Sequence, residues 1–331
     1  MNNKTEKSSV MRARMIWAVA VGIVLAALPH VAAAQGGVVV SNQNANQIAL
    51  LHWYAANQTT QFSVGSSPDS LAFDGANMWV GNSSSNTVTK IRVSDGTVLG
   101  TFAAGSGPRA LTFDGANIWV ADGGSNTVTK LSASTGATLG SVAVGSYPYA
   151  MAFDGANVWV ANVYGNSVTK IQASNLAVIG TYTVGSMPVG LAFDGTNMWV
   201  SNLSGSSITK ILASNGTILA TYPVPQNPWG IAFDGSNLWV VSEYNNSVVK
   251  VQASTGTVLG SFAVGYTPLY VAFDGANVWV TNWGAASVTK LLASNGANLG
   301  TFSVGSSPNA VAFDGAHIWV ANQNSNTVSK L

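Results

Sequence analysis

The phrase Phe-Asp-Gly-x-x-x-Trp-Val occurs seven times in this chain and recurs every 40 residues without an insertion. Its phenylalanines are Phe73, Phe113, Phe153, Phe193, Phe233, Phe273 and Phe313. A period of about 40 residues is typical of propeller blades or of solenoids built from helix pairs. In both, each copy is one unit that buries its apolar face against its neighbours.

The sequence inside one copy, residues 66–105, decides between the two architectures. Leu71–Phe73 and Met78–Val80 are short apolar runs joined by an Asp-Gly turn. Thr87–Ile91 alternates polar and apolar side chains, and a second Gly turn leads to Val98–Ala103. This pattern predicts four short β-strands, and nothing has helical periodicity. We therefore predict an all-β chain, a seven-bladed β-propeller of four-stranded blades.

The two ends of the repeat array indicate how the ring closes. The last copy stops after its third strand, at Leu331, whereas Thr59–Gly65 resembles the fourth-strand segment Leu299–Gly305. We expect residues near 58–64 to supply the outer strand of the last blade, which removes an open joint in the ring. Proline at 223 and 225 places the fourth strand outermost, because proline cannot donate to a strand ladder.

The first 34 residues have the three parts of a secretory signal peptide. A basic start precedes an apolar run, Ile16–Leu28, and Ala32–Ala34 stands before Gln35. The alternative is an uncleaved membrane anchor, but the run is shorter than the ~20 residues that span a bilayer. We expect cleavage near Ala34, a secreted or periplasmic protein, and no membrane association afterwards.

The predicted domains are thus a signal peptide at 1–34, an N-terminal extension at 35–57 and the propeller at 58–331. The extension partly resembles the repeat, since Val40–Asn44 parallels Val320–Asn324. It could be an added edge strand, a plug or the remnant of a longer array.

Composition excludes several classes of protein. The chain has no cysteine, which excludes a disulfide scaffold, a thiolate metal site and a cysteine nucleophile. Only 8% of residues are charged, and 9 basic and 11 acidic residues remain without the first 34. A nucleic-acid binder needs an excess of basic residues, which this chain lacks.

The repeat unit resembles that of a known family. Trp159-Val160-Ala161-Asn162 stands where the YVTN-family β-propeller repeat has Tyr-Val-Thr-Asn, and Asn-x-Val-Thr-Lys and Val-Gly-x-x-Pro follow at similar positions. The unit is also similar to NHL repeats and to streptogramin (virginiamycin B) lyase propellers, over about residues 52–331. The lyase resemblance would imply a metal-dependent enzyme with catalytic His and Glu residues near the channel.

The residues available for such chemistry are few. Outside the predicted signal there are two histidines, His52 and His317, and one glutamate, Glu243. Seven of the aspartates and seven lysines recur once per copy, so we expect the aspartate to cap a turn and the lysine to pair with it: Asp74, Asp114, Asp154, Asp194, Asp234, Asp274, Asp314, Lys90, Lys130, Lys170, Lys210, Lys250, Lys290 and Lys330. We predict no catalytic residues, no metal site and no cofactor.

The copies differ mainly in two loops that we expect on one face of the ring, the top face. Aromatic and polar side chains concentrate there, and such side chains suit sugars or protein partners. The predicted ligand-binding residues are Arg109, Tyr147, Tyr149, Tyr164, Met187, Trp229, Glu243, Tyr244, Tyr270 and Trp283.

The sequence therefore favours a non-enzymatic, exported binding or scaffold module with an unknown protein or carbohydrate ligand, and we expect a monomer. Nucleic acid is excluded as a partner because Arg109 is the only basic residue predicted in these loops. The alternative is a streptogramin-lyase-like or lactonase-like metal-dependent enzyme. It would need carboxylates that converge at the channel mouth, for which the sequence offers Asp69, Asp122 and Glu243.

Overall fold

The computed structural model describes residues 60–331 and contains 28 strands in seven antiparallel sheets of four. The predicted signal peptide at 1–34 and extension at 35–57 lie outside the described residues. Two single-turn 3₁₀ helices, Trp283–Ala285 and Gln323–Ser325, lie in loops between strands. No helix between residues 60 and 331 is long and apolar enough to cross a membrane.

Each sheet is one blade, and its strands follow the chain from the inside of the ring to the outside. The innermost strands are β2 (Pro68–Phe73), β6 (Pro108–Phe113), β10 (Pro148–Phe153), β14 (Pro188–Phe193), β18 (Pro228–Phe233), β22 (Pro268–Phe273) and β26 (Pro308–Phe313). The second strands are β3 (Asn77–Asn82), β7 (Asn117–Asp122), β11 (Asn157–Asn162), β15 (Asn197–Asn202), β19 (Asn237–Ser242), β23 (Asn277–Asn282) and β27 (Ile318–Asn322). The third strands are β4 (Thr87–Arg92), β8 (Thr127–Ser132), β12 (Ser167–Gln172), β16 (Ser207–Leu212), β20 (Ser247–Gln252), β24 (Ser287–Leu292) and β28 (Thr327–Lys330). The outer strands are β1 (Thr60–Ser63), β5 (Val98–Ala103), β9 (Thr138–Ala143), β13 (Val178–Thr183), β17 (Ile218–Pro223), β21 (Val258–Ala263) and β25 (Asn298–Ser303).

The ring closes as the sequence predicts. Strand β1 pairs antiparallel with β28, with Thr60 opposite Lys330 and Ser63 opposite Thr327. The last blade therefore takes its outer strand from the other end of the propeller, in the order β1-β28-β27-β26. Pro223 ends the outer strand β17, which confirms the strand order inferred from the prolines. The prediction of a seven-bladed β-propeller is confirmed.

The core lies between neighbouring blades. The repeated tryptophan of each second strand is buried there, with Trp79 and Trp159 fully inaccessible. In six of the seven blades its ring packs on an aromatic residue of the outer strand, as for Trp79 and Phe102 at 5.5 Å between centroids. Valine, isoleucine and methionine side chains of the next blade complete each cluster. These tryptophans are core residues, as predicted.

The turn between the first and second strands explains the repeated aspartate. Asp74 Oδ1 accepts hydrogen bonds from the backbone N–H groups of Ala76 and Asn77, at 2.9 and 2.7 Å. Its Oδ2 accepts from the indole Nε1 of Trp79 at 2.8 Å. Burial raises the pKa of Asp74, but the hydrogen bonds from Trp79, Asn77 and the backbone outweigh it and lower the pKa below the usual value. The aspartate caps the turn, as predicted.

The predicted pairing of the repeated lysine with this aspartate is wrong. Lys90 Nζ instead donates to the carbonyl oxygen of Ala133 in the next blade, at 2.6 Å, and lies 4.9 Å from the centroid of the Trp79 ring. The aspartate is already saturated by its turn and the indole, so the ammonium group finds its acceptor across the blade interface. Such lysine–carbonyl contacts join neighbouring blades at Lys90, Lys130, Lys170, Lys210, Lys250 and Lys330.

Two loops of each blade are bonded to each other, which places them on one face. The N–H of Ser83, after the second strand, donates to the carbonyl of Ser67, before the first strand, at 2.9 Å. The same contact joins Trp283 and Thr267 in the sixth blade. We call this the top face, and its position agrees with the prediction.

Candidate channel-mouth binding site

The innermost strands differ most at their second residue, close to the top-face loops. The seven residues there are Asp69, Arg109, Tyr149, Val189, Trp229, Leu269 and Asn309. The expectation that Arg109, Tyr149 and Trp229 lie in the loops is wrong. Each strand already begins at the preceding proline, so these side chains stand on the sheet at the channel mouth. Strands position side chains more rigidly than loops do, which favours a preorganised site.

Asp69 and Arg109 form an ion pair between the first and second blades. Arg109 Nη1 donates to Asp69 Oδ2 at 2.6 Å, and only 2% of the Asp69 side chain is exposed. Asp69 Oδ1 also accepts from Asn309 Nδ2 at 3.0 Å and from Gln323 Nε2 at 2.7 Å. Burial lowers the pKa of Arg109, but the Asp69 carboxylate outweighs it and raises the pKa above the usual value. The guanidinium of Arg109 therefore stays charged beside its partner in this ion pair.

An aromatic cluster continues from this ion pair into the third blade. The Arg109 guanidinium lies 5.7 Å from the centroid of the Tyr147 ring, in cation–π distance. Tyr147 packs on Tyr164 with 4.8 Å between centroids and on Tyr149 with 6.2 Å. Tyr164 is largely exposed, so the cluster runs from the solvent-facing loop into the channel.

The cluster reaches the fifth blade through Trp229. Tyr149 and Trp229 lie 5.8 Å apart between ring centroids. The Trp229 indole Nε1 donates to Glu243 Oε2 at 3.0 Å, and Asn227 Nδ2 donates to the same oxygen at 3.4 Å. Trp229 also packs against the core cluster around Trp239. It thus contacts both the channel-lining Tyr149 and the core between blades.

Two tyrosines, Tyr149 of the third blade and Tyr270 of the sixth, line the channel. Burial raises the pKa of Tyr149 to about 12 and that of Tyr270 well above its usual value. Tyr270 is the third residue of its strand and lies where the register of β22 against β23 shifts, between Pro268 and Val271. The Tyr270 N–H donates to Thr281 Oγ1 at 3.0 Å, which holds this irregularity. Irregularities of this kind commonly change the direction in which a side chain points.

The channel contains a cavity of about 150 Å³. Its polar lining includes Asp69, Ser70, Arg109, Tyr149 and Tyr270. Its apolar lining is a ring contributed by all seven blades: Leu71, Leu111, Met151, Leu191, Ile231, Val271 and Val311. Arg109 Nε and Ser70 Oγ are buried without a hydrogen-bond partner. Buried polar atoms are usually satisfied, so unpartnered ones mark a place for water or a ligand.

The remaining predicted residues lie in the top-face loops. Met187 Sδ accepts from Ser204 Oγ at 3.0 Å. Tyr244 is 70% exposed and Trp283 is 37% exposed. Trp283 Nε1 donates to Gln323 Oε1 at 3.3 Å, which connects it to Asp69 through the Gln323 amide. The structure thus brings Arg109, Tyr147, Tyr149, Tyr164, Trp229, Glu243, Tyr270 and Trp283 into one network.

Sequence reasoning missed Asn309 and Gln323, although both hold the Asp69 carboxylate. A signal was present in the repeat. Asn309 occupies the same repeat position as Arg109 and Tyr149, and Gln323 the same position as Glu243 and Trp283. The two amides were missed because mainly aromatic and charged departures from the repeat were taken as candidates.

Asp122 does not belong to the channel mouth. It ends the second strand of its blade, where most blades have asparagine, and it is fully buried. Its Oδ2 accepts from Thr129 Oγ1 at 2.6 Å. Burial raises the pKa of Asp122 to about 6, against the hydrogen bonds from Thr129, Gly105 and Thr127. Within residues 60–331, no three His, Asp or Glu residues lie close enough together to hold a metal ion.

These features define the class of the chain: a seven-bladed β-propeller whose channel mouth carries an aromatic and polar network. A solved structure of Kuenenia stuttgartiensis hydrazine synthase is similar to it, with a TM-score of 0.73 at 19% identity over 91% of this chain and 99% of that one. A streptogramin B lyase structure is also similar, with a TM-score of 0.71 at 19% identity over 82% of this chain and 96% of that one. These likenesses show the fold alone. No known family profile matches the chain, and no curated protein matches it in sequence.

Proposed function

We propose that this chain is an exported binding module that holds its ligand at the channel mouth. The observation that carries the proposal is the asymmetric network that runs from Trp283 through Asp69 and Arg109 to Tyr149 and Trp229. The scaffold repeats seven times, but this network does not. A symmetric scaffold has no structural need for such a concentration of different side chains.

Exposure of the top-face loops supports the same proposal. Tyr164, Tyr244, Tyr266 and Trp283 are the large apolar side chains exposed on this face of the described propeller. Tyrosine and tryptophan combine large contact area with a polar group, and they dominate many binding sites. Exported proteins of this kind meet surface glycans and secreted proteins, and we propose one of these as ligand.

The test is binding of the purified protein to an array of glycans and to immobilised secreted proteins. We expect Tyr164→Ala combined with Trp283→Ala to abolish the interactions found, because both side chains are exposed and their loss leaves the core intact. The matched control is Leu219→Ala combined with Leu259→Ala, two exposed side chains of the outer strands. Equal loss in both double variants would contradict a top-face site.

A further inference from the structure

We infer that the channel cavity takes one neutral sugar residue, as the end of a glycan whose other residues lie on the top-face aromatic side chains. This inference rests on the proposed binding function and adds to it the chemical class of the ligand and its position. Three observations carry it: the kind of side chain exposed, the balance of charge and the lining of the cavity.

The first observation separates two kinds of exposed apolar side chain. Exposed aliphatic residues lie on the outer strands, as Ile179, Leu219 and Leu259 do. Those exposed in the top-face loops are aromatic, at Tyr164, Tyr244, Tyr266 and Trp283, and serine, asparagine and glycine surround them in the sequence. A protein partner packs well on mixed aliphatic and aromatic surface. The C–H face of a sugar ring stacks on an isolated aromatic ring while its hydroxyl groups bond to polar neighbours.

The second observation concerns charge. The only cation of the network, Arg109, is paired with Asp69 at 2.6 Å. The Asp69 carboxylate accepts from Arg109, Asn309 and Gln323, so most of its acceptor sites are occupied. A charged ligand group in the cavity would lose hydration without meeting an unpaired counter-charge. A neutral ligand avoids this penalty.

The third observation is the lining. The cavity of about 150 Å³ corresponds to roughly five waters at their liquid volume, close to one six-membered sugar ring. Arg109 Nε is a buried donor without an acceptor, and Ser70 Oγ is a buried hydroxyl without a partner. The two tyrosine hydroxyls add groups that both donate and accept. The aliphatic ring around Leu111 and Ile231 supplies an apolar wall. A molecule with hydroxyl groups on its rim and C–H bonds on its face matches this lining.

The two lining tyrosines give the inference a sharp test. A sugar in the cavity forms hydrogen bonds to the Tyr149 and Tyr270 hydroxyl groups. Tyr149→Phe combined with Tyr270→Phe removes these groups and keeps the rings. The matched control is Tyr182→Phe, the same change on an outer strand. Circular dichroism melts establish that all variants are folded.

The experiment is a titration of the full chain with glucose, galactose, mannose and N-acetylglucosamine, followed by tryptophan fluorescence and by calorimetry. Glucuronate and tetramethylammonium are the charged comparisons. We expect at least one neutral sugar to bind at millimolar concentration, at least tenfold more weakly in the double tyrosine variant, and unchanged in Tyr182→Phe.

Two results would overturn the inference. Binding of tetramethylammonium or glucuronate, but of none of the neutral sugars, would assign a charged ligand to the cavity. In the second, the neutral monosaccharides do not bind, but an oligosaccharide does, and its binding depends on Trp283 and not on the tyrosine hydroxyls. This would place the ligand on the loops alone. This second result would leave the proposed function standing.

Discussion

Val142 and Leu176 form a complementary pair across the interface of the second and third blades. At five other interfaces an outer-strand ring packs over a turn glycine of the next blade, as Tyr182 does over Gly216, where a Cβ would overlap the ring. In this one interface the ring is replaced by Val142 and the glycine by Leu176, and both pack in the same core cluster. The volume lost at one position is restored at the other, although Leu176 adopts a left-handed φ of 66°.

We expect Val142→Phe to lower the free energy of unfolding by about 1–3 kcal/mol, because the larger ring meets Leu176 in a filled interface. Val142→Phe combined with Leu176→Gly recreates the ring-over-glycine arrangement and should recover most of that loss. Urea denaturation of the two single variants and the double variant measures the coupling. Additive effects of the two substitutions would contradict this account.

The buried Asp122 makes stability depend on pH. Its pKa of about 6 in the folded protein lies above the ordinary value of 3.8, so folding favours the protonated form. This contribution is fully present below about pH 4 and is lost as pH rises to about 6. We expect Asp122→Asn, the residue of most other blades, to raise the free energy of unfolding above pH 6 by up to about 3 kcal/mol.

The difference between Asp122→Asn and the unsubstituted protein should shrink towards pH 4, where the carboxyl group is protonated in both folded and unfolded chains. Denaturation at a series of pH values measures it. A constant difference between pH 4 and pH 8 would mean that the carboxylate charge is not the cause.

The turn aspartates stabilise the blades individually. Asp194→Ala leaves the buried Trp199 Nε1 without its acceptor, now 2.7 Å away, and removes the turn cap. We expect a loss of about 2–4 kcal/mol in the free energy of unfolding. The control is Asp95→Ala, which removes an exposed partner of Arg92 and should change stability little. A similar loss at both positions would refute the role of the indole contact.

The ion pair at the channel mouth is partly buried and should be costly to break. Arg109→Met leaves the Asp69 carboxylate buried beside two amide donors only, and we expect it to lower the free energy of unfolding by about 3–5 kcal/mol. Asp69→Asn combined with Arg109→Met removes both charges and should restore part of this loss. Chemical denaturation measures both, with Arg92→Met as the exposed comparison. A double variant as unstable as the single one would contradict a charge-based explanation.

The fold could be predicted from sequence because each of its determinants is local and repeated. The Asp-Gly turn, the buried tryptophan and the alternating third strand recur seven times, and Thr60–Ser63 pairs where the unfinished repeat requires a strand. The target of the repeated lysine could not be predicted in this way. Its acceptor, the carbonyl of Ala133 for Lys90, lies 43 residues away across a blade interface.

The candidate site was predicted in part. Comparison of the copies found Arg109, Tyr147 and Tyr149, because departures from a strict repeat are visible in the sequence alone. It did not distinguish Asp122, which is buried within its blade, from Asp69, which is at the mouth, since both interrupt the repeat with the same side chain. Their different surroundings depend on the strand position and on the neighbouring blade.

The central claim is that a ligand binds at the channel mouth, and hydrogen–deuterium exchange with a ligand from the glycan array or the secreted-protein screen tests it most directly. Backbone amides exchange according to local opening, so a bound ligand slows exchange where it holds the structure. We predict slower exchange in the first halves of β6, β10 and β22 and in the loops around Tyr164 and Trp283. Protection confined to the outer strands β13, β17 and β21 would contradict the claim.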